Sequence, residues 1–285
     1  MFQKNKKMKV VDLTFVLISA ISLSSCTSLI STYRKEVAHE KSVNSLMNPT
    51  IISEADISGL PEPVQNYFRL CGFVGRELPY NSTITWEDVE FKMSPEKDWM
   101  PIKCLQFNSV KEPARFAYLY APKMGINMFV GRDKYQQGKG NMHIKILGLF
   151  TLQNEWGKAM DESSLVTILS ESLFVPGYAL QPYIKWEPID SLTAKASITY
   201  SGVTVGGTFH FNANGEMTHF MSYDRNYVGT DGKAKKVPWM ASVDSYTKIG
   251  NYLIPAYVRA TWSLPEGDYE YFKGRIAEIQ FNQNN

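Results

Sequence analysis

The sequence predicts a mainly β protein with few helices (α+β), in which a long antiparallel meander forms a curved half-open barrel with one central helix. From Asn81 onward, apolar and polar residues mostly alternate with a period of two, in short runs separated by turn residues. The stretch Asp161–Leu180 instead repeats its apolar residues at intervals of three and four, as an amphipathic helix does. About twelve strands over roughly 230 residues favour one domain over two.

The N-terminus has the layout of a secretory signal peptide. Four lysines within residues 4–9 precede an apolar run from Leu13 to Leu23, which is shorter than the roughly 20 residues that span a bilayer. The run ends in Leu23-Ser24-Ser25-Cys26, which resembles the lipobox of bacterial lipoproteins. We therefore predict that Cys26 is lipidated. An ordinary cleaved signal or a short transmembrane helix is the alternative.

This leader predicts the domain organisation and the location. Residues 1–25 are the predicted lipoprotein signal peptide, residues 26–50 a polar tether without a sustained period, and residues 51–285 a single β-rich, ligand-binding-like domain. The acyl chains, palmitate among them, would anchor the protein to a membrane. The absence of Asp beside Cys26 resembles the default signal for the outer membrane. We therefore expect a lipid-anchored protein of the cell envelope that faces the periplasm.

Charge excludes one class of partner. Without the leader the chain has 26 basic and 27 acidic residues, a net charge of about −1, so we expect no nucleic-acid partner. The remaining cysteines, Cys71 and Cys104, leave two alternatives open. A disulfide would close a loop of about 33 residues and stabilise the fold by roughly 3–4 kcal/mol. Two buried free thiols are the other alternative, and spacing alone does not decide between them.

The elements of the domain follow in order. The segment Leu60-Pro61-Glu62-Pro63-Val64 opens a short helix that ends at Gly72, because proline is tolerated in the first turn of a helix. Turn residues such as Asn214-Gly215 separate the strands that follow. The predicted strands are 81–92, 101–108, 114–120, 126–130, 134–137, 141–152, 194–200, 204–211, 216–223, 239–247, 252–262 and 269–281.

The central helix carries the predicted ligand-binding residues. Asp161 is its predicted N-cap, and Pro176-Gly177 its predicted end. One face is apolar and the other carries acidic residues and serines, so we expect the apolar face to lie along a groove on the concave side of the sheet. The residues predicted to contact an apolar ligand there are Leu165, Ile168, Leu169, Leu173 and Phe174.

Four short motifs follow one another in the domain. They are Leu60-Pro61-x-Pro63-Val64, Arg132-Asp133-x-Tyr135-x-x-Gly138-x-Gly140, Leu169-Ser170-Glu171 with Phe174-x-Pro176, and Pro238-Trp239. Together they resemble an uncharacterised bacterial family of β-rich envelope proteins, a domain of unknown function, so the resemblance implies no catalytic residue. The chain departs from the family at Phe174, where Trp is usual, and at Thr167 and Ser170, near which a basic residue is usual. The lipobox, curved sheet and central helix also resemble the Lol-type lipoprotein carriers at the level of the fold.

Glu171 is the ionisable residue at the edge of the predicted apolar face. If it is buried, its carboxylate needs a partner, and Arg132 and Arg225 are the candidates. A structural ion pair is favoured over an acid–base role, because no second catalytic group is identifiable. Both arginines have an aspartate as sequence neighbour and can equally form cross-strand pairs on a solvated face.

No hydrolase, zinc or phosphate-binding motif occurs, so no catalytic residue, metal site or cofactor is predicted. His210 and His219 flank the Asn214-Gly215 turn. A two-residue loop would set them directly opposite, within reach of a metal, whereas a bulge at Gly215 would pair His210 with Thr218. Because only two ligands are apparent, surface or half-buried histidines are favoured.

Three classes of function remain. The favoured one is a membrane-anchored lipoprotein that binds or carries an apolar ligand, a lipid or a lipidated chain, in the periplasm. The alternative is a structural or interaction lipoprotein of the cell envelope with a filled core, and an uncharacterised enzyme is the least favoured. A cavity beside the central helix would separate the first class from the second.

Overall fold

The computed structural model describes residues 28–44, 48–229 and 232–283. The predicted signal peptide and Cys26 lie outside these residues, so cleavage and lipidation stay predictions. The helices of the described residues are α1 (Leu29–Asn44), α2 (Glu54–Ile57), α3 (Glu62–Leu70), α4 (Lys158–Ser170) and a 3-10 turn at Tyr178–Leu180. No helix in this part of the chain is both long and apolar enough to cross a membrane.

Strands make up most of the remaining chain. Thirteen of those described form one antiparallel sheet, and β11 and β12 form a separate hairpin. The strands are β1 (Asn81–Phe91), β2 (Met100–Ser109), β3 (Ala114–Lys123), β4 (Ile126–Gln136), β5 (Lys139–Ile146), β6 (Phe150–Glu155), β7 (Ile184–Asp190), β8 (Thr193–Tyr200), β9 (Val203–Phe211), β10 (Met217–Ser222), β11 (Asn226–Val228), β12 (Ala234–Lys236), β13 (Trp239–Ile249), β14 (Tyr252–Leu264) and β15 (Gly267–Phe281).

The large sheet is curved and does not close into a barrel, which confirms the predicted fold class. Its strand order is β6-β5-β4-β3-β2-β1-β15-β14-β13-β10-β9-β8-β7, so β6 and β7 are its two edges. Helix α4 contacts β4 and β5 from one half of this order and β8, β9 and β10 from the other. One short helix touches both halves only if the sheet curls around it, so α4 lies on the concave side.

Helix α1 corrects the prediction of an irregular tether before residue 50. Leu29 and Tyr33 of α1 are buried in an apolar cluster with Phe107, Phe116 and Tyr118 from β2 and β3. The sequence of α1 has no sustained apolar period, so the helix is stabilised by these few contacts with the sheet rather than by a continuous apolar face. The cluster lies on the convex side, opposite α4, because neighbouring strand residues point to opposite faces.

Helix α4 begins one turn earlier than predicted, and Asp161 is not its N-cap. The helix starts after Gly157, and the Asp161 carboxylate instead accepts hydrogen bonds from the Gly140 backbone N–H at 2.8 Å and from Lys139 Nζ at 3.0 Å. Asp161 therefore fixes the β4–β5 turn to the helix. The approach is close enough that a Cβ at Gly140 would lie 2.5 Å from the carbonyl oxygen of Met160.

The predicted polar face of α4 is also buried. Asp161, Ser163, Ser164 and Ser170 are all enclosed, together with the apolar residues of the helix. The helix ends at Ser170, well before Pro176. A sheet that curls around a helix covers more of its circumference than a flat sheet would, and this explains why the serines are not solvated.

Three strand predictions need correction. Strand β4 continues through Gly131, where the sequence predicted a break. The predicted strand 141–152 is divided into β5 and β6 by a turn at Leu147 and Gly148, both of which have positive φ. Strands β7, β11 and β12 were not predicted, because their short sequences lack a clear apolar alternation.

Cys71 and Cys104 are free thiols in the structure, both of them buried. Of the two alternatives that the sequence left open, a disulfide and two buried free thiols, the structure has the free thiols. Burial raises the pKa of each thiol to about 12, so both are protonated at neutral pH. They pack as small apolar residues of the core.

Candidate functional site

A cavity lies between α4 and the concave face of the sheet. Its volume, measured as the space open to the centre of a water molecule, is about 120 Å³. An apolar cavity of about 150 Å³ admits benzene, so this cavity has room for one small apolar group. Its wall is mostly aromatic and aliphatic and, apart from Phe174, these residues come from many strands: Trp86, Phe91, Ala117, Leu119, Met142, Phe174, Trp239, Ala241, Val258, Ala260, Tyr271 and Phe272.

One end of the cavity wall is a buried polar network centred on Glu171. The Oε1 atom of Glu171 accepts a hydrogen bond from Arg115 Nε at 2.8 Å. Its Oε2 atom accepts hydrogen bonds from the side-chain amides of Gln106 and Asn108, both at 2.9 Å. Glu171 is only 5% exposed. Since both carboxylate oxygens accept hydrogen bonds, these bonds compensate the free-energy cost of burying the charge of Glu171.

The network continues from Arg115 to a second carboxylate and to an indole. Arg115 Nη1 lies 2.7 Å from Asp133 Oδ2. Burial disfavours the charge of Arg115, but the two carboxylates outweigh it and raise the pKa of the guanidinium above its ordinary value. Gln106 Oε1 accepts a hydrogen bond from Trp86 Nε1 at 3.1 Å, which holds this indole in the cavity wall. The polar side chains at this end of the cavity are therefore held in place by hydrogen bonds and ion pairs with one another.

Arg132 does not pair with Glu171, contrary to the sequence-based suggestion. Its Nη1 atom lies 2.6 Å from Glu36 Oε1 of α1, on the convex side of the sheet, and Lys134 Nζ reaches the same oxygen at 2.8 Å. Arg132 and Asp133 are neighbours in β4, so they point to opposite faces. Asp133 faces the cavity, and Arg132 fixes α1 to the outer surface.

Arg225 lies in the cavity wall but also does not pair with Glu171. Its guanidinium carbon lies 4.4 Å from the ring centroid of Trp239 and 5.5 Å from that of Trp262. Nη1 donates to the carbonyl oxygen of Ser163 at 3.1 Å and to Thr167 Oγ1. Nε is buried and has no hydrogen-bond partner among the described residues. Arg225 thus brings a positive charge to the cavity with neutral oxygens as its hydrogen-bonding partners.

Of the five predicted ligand-binding residues, the cavity is lined by Phe174 alone. Leu165, Ile168, Leu169 and Leu173 are fully buried in the packed core. The α4 side of the cavity is instead formed by Thr167, Ser170 and Glu171, with Phe174 just after the helix. Most of the wall comes from strand residues that were not predicted to bind a ligand. Many of them share one signal, an aromatic or small residue at an inward-facing position of a central strand.

His210 and His219 are directly opposite each other, as the first of the two predicted registers requires. The irregularity lies at Thr218 rather than at Gly215, and the Thr218 hydroxyl lies 3.0 Å from His219 Nδ1. The two imidazole rings stack with centroids 4.2 Å apart. No group of three or more His, Cys, Asp or Glu side chains that could hold a metal occurs among the described residues.

The histidine pair predicts a dependence of stability on pH. Burial, and secondly the charge of His210, lower the pKa of His219 below its ordinary value. The folded chain therefore binds a proton at His219 less readily than the unfolded chain does. Stability should then fall as the pH drops through the unfolded pKa of about 6.5. In urea unfolding at pH 7.5 and at pH 5.5, we expect the wild type to lose more stability on acidification than His219→Gln. Equal losses in the two proteins would contradict this assignment.

Comparison with known proteins identifies the family. The profile of the family of unknown function DUF6544 matches residues 50–274, which is most of the chain. The chain therefore belongs to this family, and the predicted membership of an uncharacterised β-rich family is confirmed. A search of curated proteins finds no significant match.

Three solved structures were compared with the chain. A domain named for outer membrane lipoprotein sorting, from Vibrio parahaemolyticus, is 11% identical with a TM-score of 0.40, and the match covers 70% of this chain and 85% of that one. A LolA superfamily protein from Nitrosomonas europaea is 8% identical with a TM-score of 0.38. A DUF1329 family protein from Desulfovibrio piger is 8% identical with a TM-score of 0.40. The last two matches each cover 81% of this chain and 94% of the other. At these values the similarity carries no inference about function.

Proposed function

We propose that this DUF6544 protein binds the apolar end of an amphiphilic ligand, a lipid or a lipidated chain, in the cavity beside α4. The observation that carries the proposal is the cavity itself, which has an aromatic and aliphatic wall and lies beside α4 on the concave side of the sheet. Its volume of about 120 Å³ suits one chain end or ring rather than a whole lipid. The remainder of the ligand would therefore extend out of the cavity.

The charge of the cavity suggests which polar group accompanies the apolar end. Arg115 is neutralised by Glu171 and Asp133, whereas Arg225 has hydrogen bonds to neutral oxygens only. Its buried Nε atom retains an unused donor. An anionic group of the ligand, such as a carboxylate, would satisfy this donor and pair with the charge. The proposed ligand is therefore an anionic amphiphile.

The location we propose follows from the leader rather than from the cavity. The basic head, the apolar run and the Cys26 motif support export and lipidation, which would keep the domain in the cell envelope and close to lipid. The outer membrane, with the domain facing the periplasm, is the location that we propose. Replacement of Cys26 by Ser should move the protein from the membrane fraction to the soluble periplasmic fraction.

Two ligands with the same tail test the cavity and its charge separately. Binding of decanoate and of decanol to the purified protein is measured by isothermal titration calorimetry. We expect both to bind, and decanoate to bind about tenfold more tightly or better, because a hydrogen bond to a charged group contributes about 1.5–3 kcal/mol. Arg225→Met should weaken decanoate to the level of decanol. Arg275→Met is the matched control, because Arg275 also lies over an aromatic ring but does not line the cavity.

A cavity-filling variant tests the location of the tail. Ala260→Leu adds three carbons to the cavity wall and should weaken both ligands. Ala256→Leu adds the same volume to the same strand outside the cavity, and should leave binding by the folded protein unchanged. Failure of the wild type to bind either ligand would refute the proposed function. Equal binding of decanoate by the wild type and Arg225→Met would refute only the anionic group.

A further inference from the structure

The structure has a second feature, distant from α4, that the cavity does not explain. Two neighbouring hairpins, β3–β4 and β5–β6, expose an unusual number of large apolar side chains at or near their tips. The exposed fractions reach 94% for Met124 and 66% for Phe150. The full set is Met124, Ile126, Met128, Leu147, Leu149, Phe150 and Leu152, and we refer to it as the hairpin-tip surface.

The two hairpins form one continuous surface. The backbone N–H of Leu147 donates to the carbonyl oxygen of Met128 at 3.0 Å, which joins the β5–β6 turn to the start of β4. Strand β6 is an edge of the sheet and has no buried residue. A group of apolar side chains of this kind costs solubility and marks an interaction site in most soluble domains. The hairpin-tip surface therefore has the composition of an interaction site.

Charge indicates the kind of partner. The tip segments 121–128 and 145–152 contain Lys123 and Lys145 and no Asp or Glu. At an anionic bilayer, apolar side chains are stabilised by entering the interface, and each lysine near the surface is attracted to the acidic lipids. We propose that the hairpin-tip surface docks on an anionic lipid bilayer, independently of any lipid attached at Cys26.

The position of this surface suits such a role. Phe91, which lines the cavity, contacts Phe129 with ring centroids 6.1 Å apart. Phe129 is paired with Ile146, immediately before the β5–β6 turn. The docked bilayer would therefore lie at the end of the sheet where the cavity wall reaches the hairpins, while α3 packs at the opposite end near the β9–β10 and β13–β14 turns.

Hydroxyl-radical footprinting with peptide mass spectrometry tests the docking on the full chain. The probe is a vesicle of phosphatidylglycerol, with phosphatidylcholine vesicles as the neutral comparison. Oxidation of Met124 and Phe150 should fall several-fold on phosphatidylglycerol and less on phosphatidylcholine. Leu70 of α3, which is 39% exposed at the far end of the domain, should not change. Because the readout is local, binding through the leader or an acyl chain does not imitate it.

Matched double variants complete the test. Leu149→Asp with Phe150→Asp should abolish the protection of Met124 by vesicles. Ile189→Asp with Leu192→Asp changes two comparably exposed residues in the β7–β8 hairpin at the other half of the sheet and should leave the protection intact. All four side chains are exposed, so neither variant removes core packing. Unchanged oxidation of Met124 with vesicles would overturn the proposal. So would protection without vesicles that increases with protein concentration, which would assign the surface to a second copy of the chain.

Discussion

Replacement of Glu171 by alanine is expected to lower the free energy of unfolding by about 3–5 kcal/mol, because it removes one of the two carboxylates that compensate a buried arginine. The side chain of Arg115 is 13% exposed, and Asp133 would be its one remaining carboxylate. Gln106 and Asn108 would also lose the oxygen that accepts their amide hydrogens. An unsatisfied buried donor costs about 1–3 kcal/mol, so the network as a whole gives a larger effect than one exposed ion pair.

Urea unfolding followed by circular dichroism measures this effect. Glu187→Ala is the matched control, since Glu187 forms an exposed pair with Lys195 and its loss should cost no more than about 1 kcal/mol. Arg115→Ala should lower the free energy of unfolding as much as Glu171→Ala, because each substitution removes the same Arg115–Glu171 ion pair. A loss for Glu171→Ala no larger than that for Glu187→Ala would show that the network is solvated rather than buried.

The strands of the sheet were largely predictable because alternation and turn residues are local signals. Strands β8, β9, β13 and β14 begin and end within two residues of their predicted limits. The curvature was inferred from the number of strands and the single long helix. Helix α1 could not be predicted in the same way, because Leu29 and Tyr33 are stabilised by a cluster on strands more than 70 residues away.

The polar network was only half predictable. The sequence indicated that Glu171 needs a basic partner. Which arginine pairs with Glu171 depends on the face of the sheet that each arginine occupies. Arg115 precedes Arg132 by one strand, and the β3–β4 register places Arg115 opposite Tyr135. This register, rather than any local motif, brings Arg115 and Asp133 to the concave side. A one-residue slip of β4 would have exchanged the roles of Arg132 and Asp133.

Helix α4 shows why the predicted ligand contacts were mostly core residues. A stripe of Leu and Ile at helical spacing indicates burial but does not distinguish a packed interface from a cavity wall. The sheet reaches around α4 and fills the space next to Leu165, Ile168 and Leu169. Space remains beside Glu171 and Phe174, which both line the cavity.

Leu169→Asp is therefore expected to unfold the domain rather than to weaken ligand binding selectively. If Leu169 contacted the ligand as predicted, this change would instead put a charge in the path of an acyl chain and leave the β structure intact. In the structure Leu169 is fully buried and does not line the cavity. Removal of a buried leucine side chain costs about 2–5 kcal/mol, and an unpaired buried carboxylate adds several more. The sum approaches the whole stability of a typical domain, about 5–15 kcal/mol.

Circular dichroism and urea unfolding at neutral pH distinguish the two outcomes for Leu169→Asp. Leu169→Met is the control, because a substitution that conserves volume in a core costs less than about 1.5 kcal/mol. Phe174→Leu should instead keep the β signature and change the affinity for decanol, since Phe174 forms part of the cavity wall. If Leu169→Asp remained folded and lost only its ligand, Leu169 would have to face the ligand, and the core position described here would be wrong.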